Sequence, residues 1–314
     1  MGKVKHILIT GANGFVGRHL SEELLSSGAK VSQIFRSILS LSHKVEGCYA
    51  LDLSNRDEVI KVFSELQPDY VIHLAGDKNR SGDVTQLRDQ YDQNVLILLN
   101  IIDACRALTC FKRLVFLGSC DEYGQCLTPY EETQKEMPTS AYGLSKLIAT
   151  QILSGLYLGN QFPSVVLRPT VIYGPGQGDE MFLSALIRSL LNGNSFAMTE
   201  GEQFRDFIYI DDVVSAIIGA VNADERINGN IINIGAGASC RLRNVAMMSA
   251  KLIDPEAGRL IKFGAVPYRS NEIMDYSVVV ARAKELLDWS PSTDLRDGVK
   301  RVIDQLRATA QFHA

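Results

Sequence analysis

No apolar run reaches the roughly 18 residues that a membrane-crossing helix needs. The charged start, Met-Gly-Lys-Val-Lys-His, precedes only three apolar residues, Ile7, Leu8 and Ile9, before polar Thr10. That stretch is too short for a signal peptide, so the cytoplasm is the expected compartment. Cysteine is sparse: Cys48, Cys105, Cys110, Cys120, Cys126 and Cys240 form no Cys-x-x-Cys pair and have no histidines at zinc spacing. A disulfide framework and a structural metal are thereby excluded, and the six read as reduced thiols. An excess of one charge is also missing. Lys and Arg number 32 against 36 Asp and Glu, a net charge of −4. No global basic field exists to hold nucleic acid or an anionic membrane, so an anionic ligand must be gripped locally. Internal repeats, low-complexity segments and Pro/Ser linkers are absent too.

What is present is an ordinary globular composition, 46% hydrophobic and 22% charged, over 314 residues. That length allows one large or two ordinary domains. Val4 to Ile9 reads as a strand, Thr10 to Gly17 as a glycine turn, and Arg18 to Ser26 as a helix stopping at Gly28. Strands follow at Lys30 to Phe35 and around Gly47 to Leu51, then a helix from Arg56 to Leu66 and a strand from Tyr70 to Ala75. Asp92 to Leu108 reads as a long helix, Arg113 to Leu117 as a buried strand, Ala141 to Leu158 as a helix and Ser164 to Arg168 as a strand. Repeated strand–helix units predict an α/β fold, with a parallel sheet covered on both faces. Beyond Tyr173-Gly174-Pro175-Gly176 the alternation becomes irregular, with a helical stretch from Phe182 to Leu191, and suggests a smaller cap. Phe207 to Ile210 and Ile231 to Ile234 still read as strands able to return to the sheet. The expected division is a dinucleotide-binding unit over residues 1–172, with returning segments near 205–235, and a mainly substrate-binding unit over 173–314.

Gly11, Gly14 and Gly17 directly follow the first strand and open the first helix. In that context glycines let backbone approach a pyrophosphate, whose charge is favoured by free N–H groups and the helix dipole. A plain tight turn is the alternative.

The Gly-x-x-Gly-x-x-Gly spacing resembles the short-chain dehydrogenase/reductase superfamily, and the chain length suggests its extended branch. The resemblance implies a Rossmann doubly wound parallel sheet with a smaller C-terminal substrate-binding cap. It also implies a dinucleotide held by Gly11, Asn13, Gly14, Phe15, Val16 and Gly17, with Asp52 and Leu53 at the adenine and Leu74, Ala75 and Gly76 passing under the cofactor. Where NAD-dependent members carry an acid at the tip of the second strand, this chain has Phe35 followed by Arg36. An arginine there suits a 2′-phosphate, so NADP(H) is expected over NAD, which stays possible. Otherwise Arg36 is a solvated surface side chain.

Tyr142 and Lys146, four residues apart, share one helix face. A nearby ammonium favours the phenolate and draws a phenol of ordinary pKa about 10 toward working pH. The spacing alone arises often by chance, but here it falls where the resemblance requires. Ser119, four residues before Tyr123 of the Tyr-Gly pair, matches the family's catalytic Ser or Thr; a turn cap is its other reading. The resemblance then implies hydride chemistry: Ser119 and Tyr142 hold a carbonyl oxygen, Tyr142 supplies the proton, and Lys146 also anchors the nicotinamide ribose. No metal site is expected. His73 reads as a core or cofactor-side residue, and Cys120, expected with Ser119 and Asp121 among the residues at the substrate, as a residue of shape, since no histidine stands near it in sequence.

The carboxyl half resembles the nucleotide-sugar members of that branch. Arg168 to Gly176 looks like their strand-to-cap junction. Arg205 in Phe204 to Val213, and Arg269 with Glu272 in Tyr268 to Glu272, match segments whose arginines hold a substrate diphosphate. Each arginine is alternatively a structural ion pair, Arg205 with Asp206 or Asp211. Val171 stands where the family often has an asparagine on the diphosphate. Trp289 reads as packing. Two apolar helices, Asp92 to Leu108 and Ala141 to Leu158, fit either the family's homodimer contact or burial on the sheet.

The 4,6-dehydratases of this group commonly carry Asp-Glu where this chain has Cys120 and Asp121, so Asp121 is left as a single candidate acid beside the substrate. C4-epimerases hold NAD tightly, which Phe35-Arg36 does not favour. The expectation is therefore an NADPH-dependent reductase of a nucleotide-linked 4-keto-6-deoxy sugar. An NAD-dependent 4-epimerase or 4,6-dehydratase is the alternative, and a non-catalytic NADP(H)-binding sensor is the alternative of another class.

Overall fold

The computed structural model describes residues 4–36, 47–77, 84–269 and 272–311. Seven strands build the main sheet: β1 (His6–Thr10), β2 (Lys30–Phe35), β3 (Cys48–Ala50), β4 (Tyr70–His73), β5 (Arg113–Leu117), β6 (Ser164–Pro169) and, after three strands that lie elsewhere, β10 (Ile231–Ile234). Every pairing is parallel and the order is β10-β6-β5-β4-β1-β2-β3. This is the doubly wound α/β sheet that the strand–helix alternation predicts. The chain leaves β1 toward β2 on one side and returns to start β4 on the other. The crevice of a doubly wound sheet therefore opens at the carboxyl ends of β1 and β4.

Period-two alternation divides the core. Ile7 and Ile9 of β1 face one layer, with α1 (Phe15–Ser26) and α7 (Ile210–Asn222); Leu8 faces the other, with α2 (Arg56–Leu66), α4 (Ile97–Arg106) and α5 (Ala141–Asn160). Both sides being covered, the strands are apolar almost throughout. Asn55 caps α2 through its side chain, accepting from Glu58 N–H.

Several boundaries move from those read in the sequence. The helix expected from Asp92 begins earlier, with α3 (Leu87–Tyr91), passes through a π-helical turn at Asp92–Leu96 and continues as α4 to Arg106, leaving Leu108 outside. The polar run Arg88 to Gln93 hides that start from an apolar-periodicity argument. Phe207 to Ile210 does not return to the main sheet. β9 (Phe204–Tyr209) instead centres a second, four-stranded sheet with β7 (Val171–Tyr173), β11 (Ser239–Arg241) and β13 (Asp275–Tyr276), and Ile210 opens α7. Phe207 to Ile210, buried at every position, mimics a main-sheet strand. Ile231 to Ile234 does return, beside β6. The remaining elements are α6 (Phe182–Leu191), α8 (Leu242–Ile253), α9 (Ala281–Leu287), α10 (Leu295–Gln311) and the two-residue strands β8 (Phe196–Ala197) and β12 (Ile261–Lys262). Trp289 packs as expected, buried, with Nε1–H donating to Ser215 Oγ at 2.8 Å.

The described cysteines, all six, are free thiols, and no cluster of His, Cys, Asp or Glu able to hold a metal occurs among the described residues. No described helix is long and apolar enough to cross a membrane. Leu114, the second residue of β5, is fully buried. Leu114→Ala should cost about 2–5 kcal/mol of folding stability, measured by urea denaturation.

Candidate active site

The glycine turn leaves β1 through Gly11, whose φ of +71° lies in the left-handed region. A Cβ on Gly11 would stand 2.7 Å from the amide nitrogen of Ala75, and one on Gly17 would stand 2.2 Å from the carbonyl oxygen of Gly11. The ends of β1 and β4 thus meet backbone to backbone. Thr10 fastens them further, its hydroxyl accepting from Ala75 N–H at 3.4 Å and meeting His73 Nδ1 at 2.7 Å. Gly14 is the N-cap of α1; no side chain caps that end, and its first turn carries no acidic residue. Asn13 and Gly14 are exposed, Phe15 and Val16 half-buried. An open helix start with a backbone cradle that any side chain would fill fits a dinucleotide pyrophosphate.

Arg36, just past β2, donates to Gln93 Oε1 on the π-helical turn. Asp52 accepts from Ser54 N–H at 2.9 Å and from its hydroxyl at 2.8 Å. These bonds, with a smaller pull from Arg36, hold its carboxyl below the ordinary range. Asn100 pins the following backbone by donating to the carbonyl of Leu53 at 2.9 Å. Arg36 and Asp52 therefore share the edge of the crevice beyond β2.

The catalytic candidates converge at the carboxyl end of β5. Ser140 caps α5, its hydroxyl accepting from Gly143 N–H at 3.0 Å, and so starts the helix one residue before Tyr142. Tyr142 and Lys146 are both buried. Lys146 Nζ donates to the Leu117 carbonyl at 2.9 Å and lies 4.8 Å from the Phe116 ring centroid, beside Gly76. Burial pulls its pKa down to about 8, with Glu122 resisting. His73, behind it, is pushed to about 3 by burial and then by Lys146, and its Nε2 has no hydrogen-bond partner among the described residues. Its burial fits a core or a cofactor-side residue alike.

Ser119 follows β5 in extended backbone and caps a short 3-10 turn, Cys120–Glu122. Its hydroxyl accepts from Asp121 N–H at 3.1 Å, so the turn-capping reading is realised; the O–H donor is not used in that bond. Gly143 packs on the Asp121 backbone, where a Cβ would lie 2.5 Å from the carbonyl oxygen, bringing the Ser119 turn against the turn of α5 that carries Tyr142. Cys120 is fully buried, its Sγ 3.2 Å from the Arg168 carbonyl, and burial pushes the thiol far above its ordinary value. Asp121 accepts from Tyr276 O–H at 2.9 Å.

Toward the cap, Arg205 pairs with Glu272, not with Asp206 or Asp211, and its Nη1 donates to the Phe204 and Ile273 carbonyls, each at 2.7 Å. Asp206 points the other way, accepting from Thr170 and from Ala236 and Gly237 N–H groups, while burial raises it to about 6. Asp211 pairs with Arg301. Arg269 is exposed, and its carbonyl accepts from Glu272 N–H. Ser270 and Asn271 lie outside the described residues.

Sequence reasoning missed three contributors. Asn94, buried in the π-helical turn, donates to Ser145 Oγ at 2.9 Å and accepts from Asp77 N–H at 3.0 Å, tying that turn to α5. An asparagine inside an apolar helix was its signal, and π-turns favour functional sites. Glu122 completes a capping box with Ser119, legible as Ser-x-x-Glu. Tyr276 reaches Asp121 from 155 positions away, and no local pattern announces it.

The profile of the NAD dependent epimerase/dehydratase family matches residues 7–235, from β1 to the residue after β10. The chain belongs to that family. CDP-abequose synthase of Salmonella typhimurium is 27% identical over 96% of this chain and 98% of the relative. A dTDP-6-deoxy-L-talose 4-dehydrogenase (NAD(P)(+)) of Kitasatospora kifunensis is 28% identical over 94% of each. Among solved structures, the UDP-glucose 4-epimerase of Thermotoga maritima with UDP-glucose superposes with a TM-score of 0.85 at 26% identity, covering 97% of this chain and 99% of that one. This epimerase/dehydratase family member is accordingly an NAD(P)-dependent enzyme of the extended short-chain dehydrogenase/reductase type.

Two outcomes follow from this geometry. Gly17→Val should abolish NAD(P)H binding, read by nicotinamide fluorescence, because the new side chain would collide with the Gly11 carbonyl. Lys146 sits below its ordinary 10.5 when folded, so the unfolded chain binds the extra proton between about pH 8 and 10.5. The stability of wild type relative to Lys146→Met should therefore rise from about pH 7 to about pH 10 in urea melts.

Proposed function

We propose that the protein is an NADPH-dependent reductase of a nucleotide-linked 4-keto-6-deoxy sugar. The observation that carries this reading is the turn after β5. Where a two-acid elimination needs a second carboxyl beside Asp121, Cys120 is buried against Arg168, its thiol too weak an acid to serve. Asp121 itself is engaged by Tyr276. Carbonyl reduction asks for less: one proton donor, one hydrogen-bond donor and a positive charge beside the phenol.

Ser119 and Tyr142 would hold the C4 oxygen of the keto sugar, and Tyr142 would pass its proton to that oxygen as the carbonyl becomes an alcohol. The hydride that reaches C4 is supplied by the bound dinucleotide. Lys146, an ammonium below about pH 8, would stabilise the phenolate left on Tyr142 and hydrogen-bond the nicotinamide ribose. Gly11, Gly14 and Gly17 would seat the pyrophosphate. Arg36 would pair with a 2′-phosphate by exchanging Gln93 for the stronger acceptor. On the cap side, Arg205 would meet the substrate diphosphate together with Arg269, and Glu272 would hold the Arg205 guanidinium in place until then. The names of two relatives, a CDP-abequose synthase and a dTDP-6-deoxy-L-talose 4-dehydrogenase, support a deoxysugar nucleotide as substrate.

Incubation with NADPH and a panel of nucleotide-linked 4-keto-6-deoxy sugars should consume the reduced nicotinamide absorbance. Product formed with no added cofactor would instead mark an epimerase or dehydratase carrying bound NAD. Tyr142→Phe should lose at least about a hundredfold in kcat while still binding NADPH; a sensor would keep its output. Arg36→Asp should lower affinity for NADPH relative to NADH, measured by fluorescence titration, and an unchanged ratio would refute the cofactor preference.

A further inference from the structure

One densely bonded acid, Glu122, has no role in the chemistry above. Glu122 is fully buried. Its Oε1 accepts from Ser119 N–H at 2.8 Å. Its Oε2 accepts from Thr150 O–H at 2.8 Å and from Arg168 Nε at 2.8 Å, and lies 2.6 Å from Arg168 Nη2. Thr150 follows Lys146 by four residues, as Lys146 follows Tyr142, so the three occupy one face of α5. One carboxylate therefore touches the backbone of Ser119, the helix face bearing Tyr142 and Lys146, and strand β6 beside β5. Behind it, Arg168 Nη2 also binds Glu136 at 2.7 Å, and the guanidinium lies 4.5 Å from the Tyr123 ring centroid.

We infer that Glu122 is a positioning residue that locks the Ser119 turn, helix α5 and strand β6 into one unit and stands as a fixed negative charge behind Lys146. The inference rests on the hydride reading of Ser119, Tyr142 and Lys146. A carboxylate with two oxygens can hold two elements at one spacing, whereas an apolar side chain there would leave Ser119 N–H, Thr150 O–H and Arg168 each short of a partner. Its charge acts in a defined setting. Lys146 is faced by His73 from β4, by Tyr142 on its own helix and by Glu122 from the turn. His73 is neutral at working pH, so the negative charge that favours the ammonium comes from Glu122. Glu122 in turn is faced by Arg168 from β6, with Glu136 beyond it, by Lys146 and Thr150 from α5, and by Cys120, Asp121 and Tyr123 of its own turn.

Glu122→Gln keeps the shape and an acceptor for Ser119 N–H but removes the charge. With Lys146 then losing its proton at lower pH, the alkaline limb of the kcat profile should move toward acid and kcat should fall on the order of tenfold to a hundredfold, with KM little changed. Thr150→Val removes only the tie to α5; kcat should fall several-fold with the alkaline limb in place. In the ligand-free protein, hydrogen exchange read by mass spectrometry should show lost protection at the Ser119 turn in both variants. Unchanged exchange there, or melting temperatures that fall while the pH profile and kcat of both variants match wild type, would overturn the inference. Should Glu122→Gln not fold, Thr150→Val decides by the same kcat and exchange readouts. If wild type itself fails to oxidise NADPH with any keto sugar, the hydride reading falls, and the exchange measurement still tests the lock by itself.

Discussion

An ammonium taken out of water at the carboxyl ends of β4 and β5 is the constraint around which this site is arranged. Lys146 is buried, and burial pulls its pKa down to about 8. The fold answers with the Leu117 carbonyl, the face of the Phe116 ring and, further off, the Glu122 carboxylate. Each belongs to β5 or to the turn that leaves it. A lysine on α5 is therefore held charged by the same strand that presents Ser119, and the register between strand and helix becomes the register between the hydroxyl and the phenol.

That coupling explains why so much polar material sits in the interior here. Glu122, Arg168, Thr150 and Ser145 are all buried, beside a core otherwise of aliphatic and aromatic side chains. Buried ion pairs contribute little net stability once desolvation is counted, but their directional bonds admit few arrangements. Asn94 acts in the same way from the opposite side. The π-helical turn turns its amide toward Ser145 and the Asp77 backbone, and so anchors the segment after β4 to α5. Two buried polar groups thus brace α5, one from the turn after β5 and one from the helix after β4.

The glycine-turn side of the crevice is built on the opposite principle. Where the α5 side of the crevice is crowded with side chains, the glycine turn packs backbone on backbone, since a Cβ on Gly11 would strike the Ala75 amide and one on Gly17 the Gly11 carbonyl. The Tyr173 to Gly176 junction closes over the start of α1, with Arg18 Nη2 donating to the Gly176 carbonyl at 3.0 Å and the His19 ring at 3.0 Å from that of Pro175. The segment after β7 thereby reaches the first turns of α1 through main-chain oxygens, and the second sheet around β9 carries Arg205 and Tyr276 toward the Asp121 turn.

Local chemistry was legible in the residues alone. The glycine turn follows from strand, three glycines and helix, because only a particular backbone path joins them. The shared face of Tyr142 and Lys146 follows from helical period, and the parallel sheet from alternating buried strands. What spans distant segments was not legible. Phe207 to Ile210 reads like a main-sheet strand, and only the pairing of Phe207 to Tyr209 with β7 decides that it belongs elsewhere. Arg205 had carboxylates beside it in sequence and chose Glu272, 67 positions on, because the alternation of a strand turns Asp206 to the opposite face. The same holds for Tyr276 on Asp121 and for Thr150 and Arg168 on Glu122. Spacing along a chain determines which side chains share a face of one element. Which faces then meet depends on packing among elements far apart in the chain, and that was decided only when the sheet and its helices closed around the site.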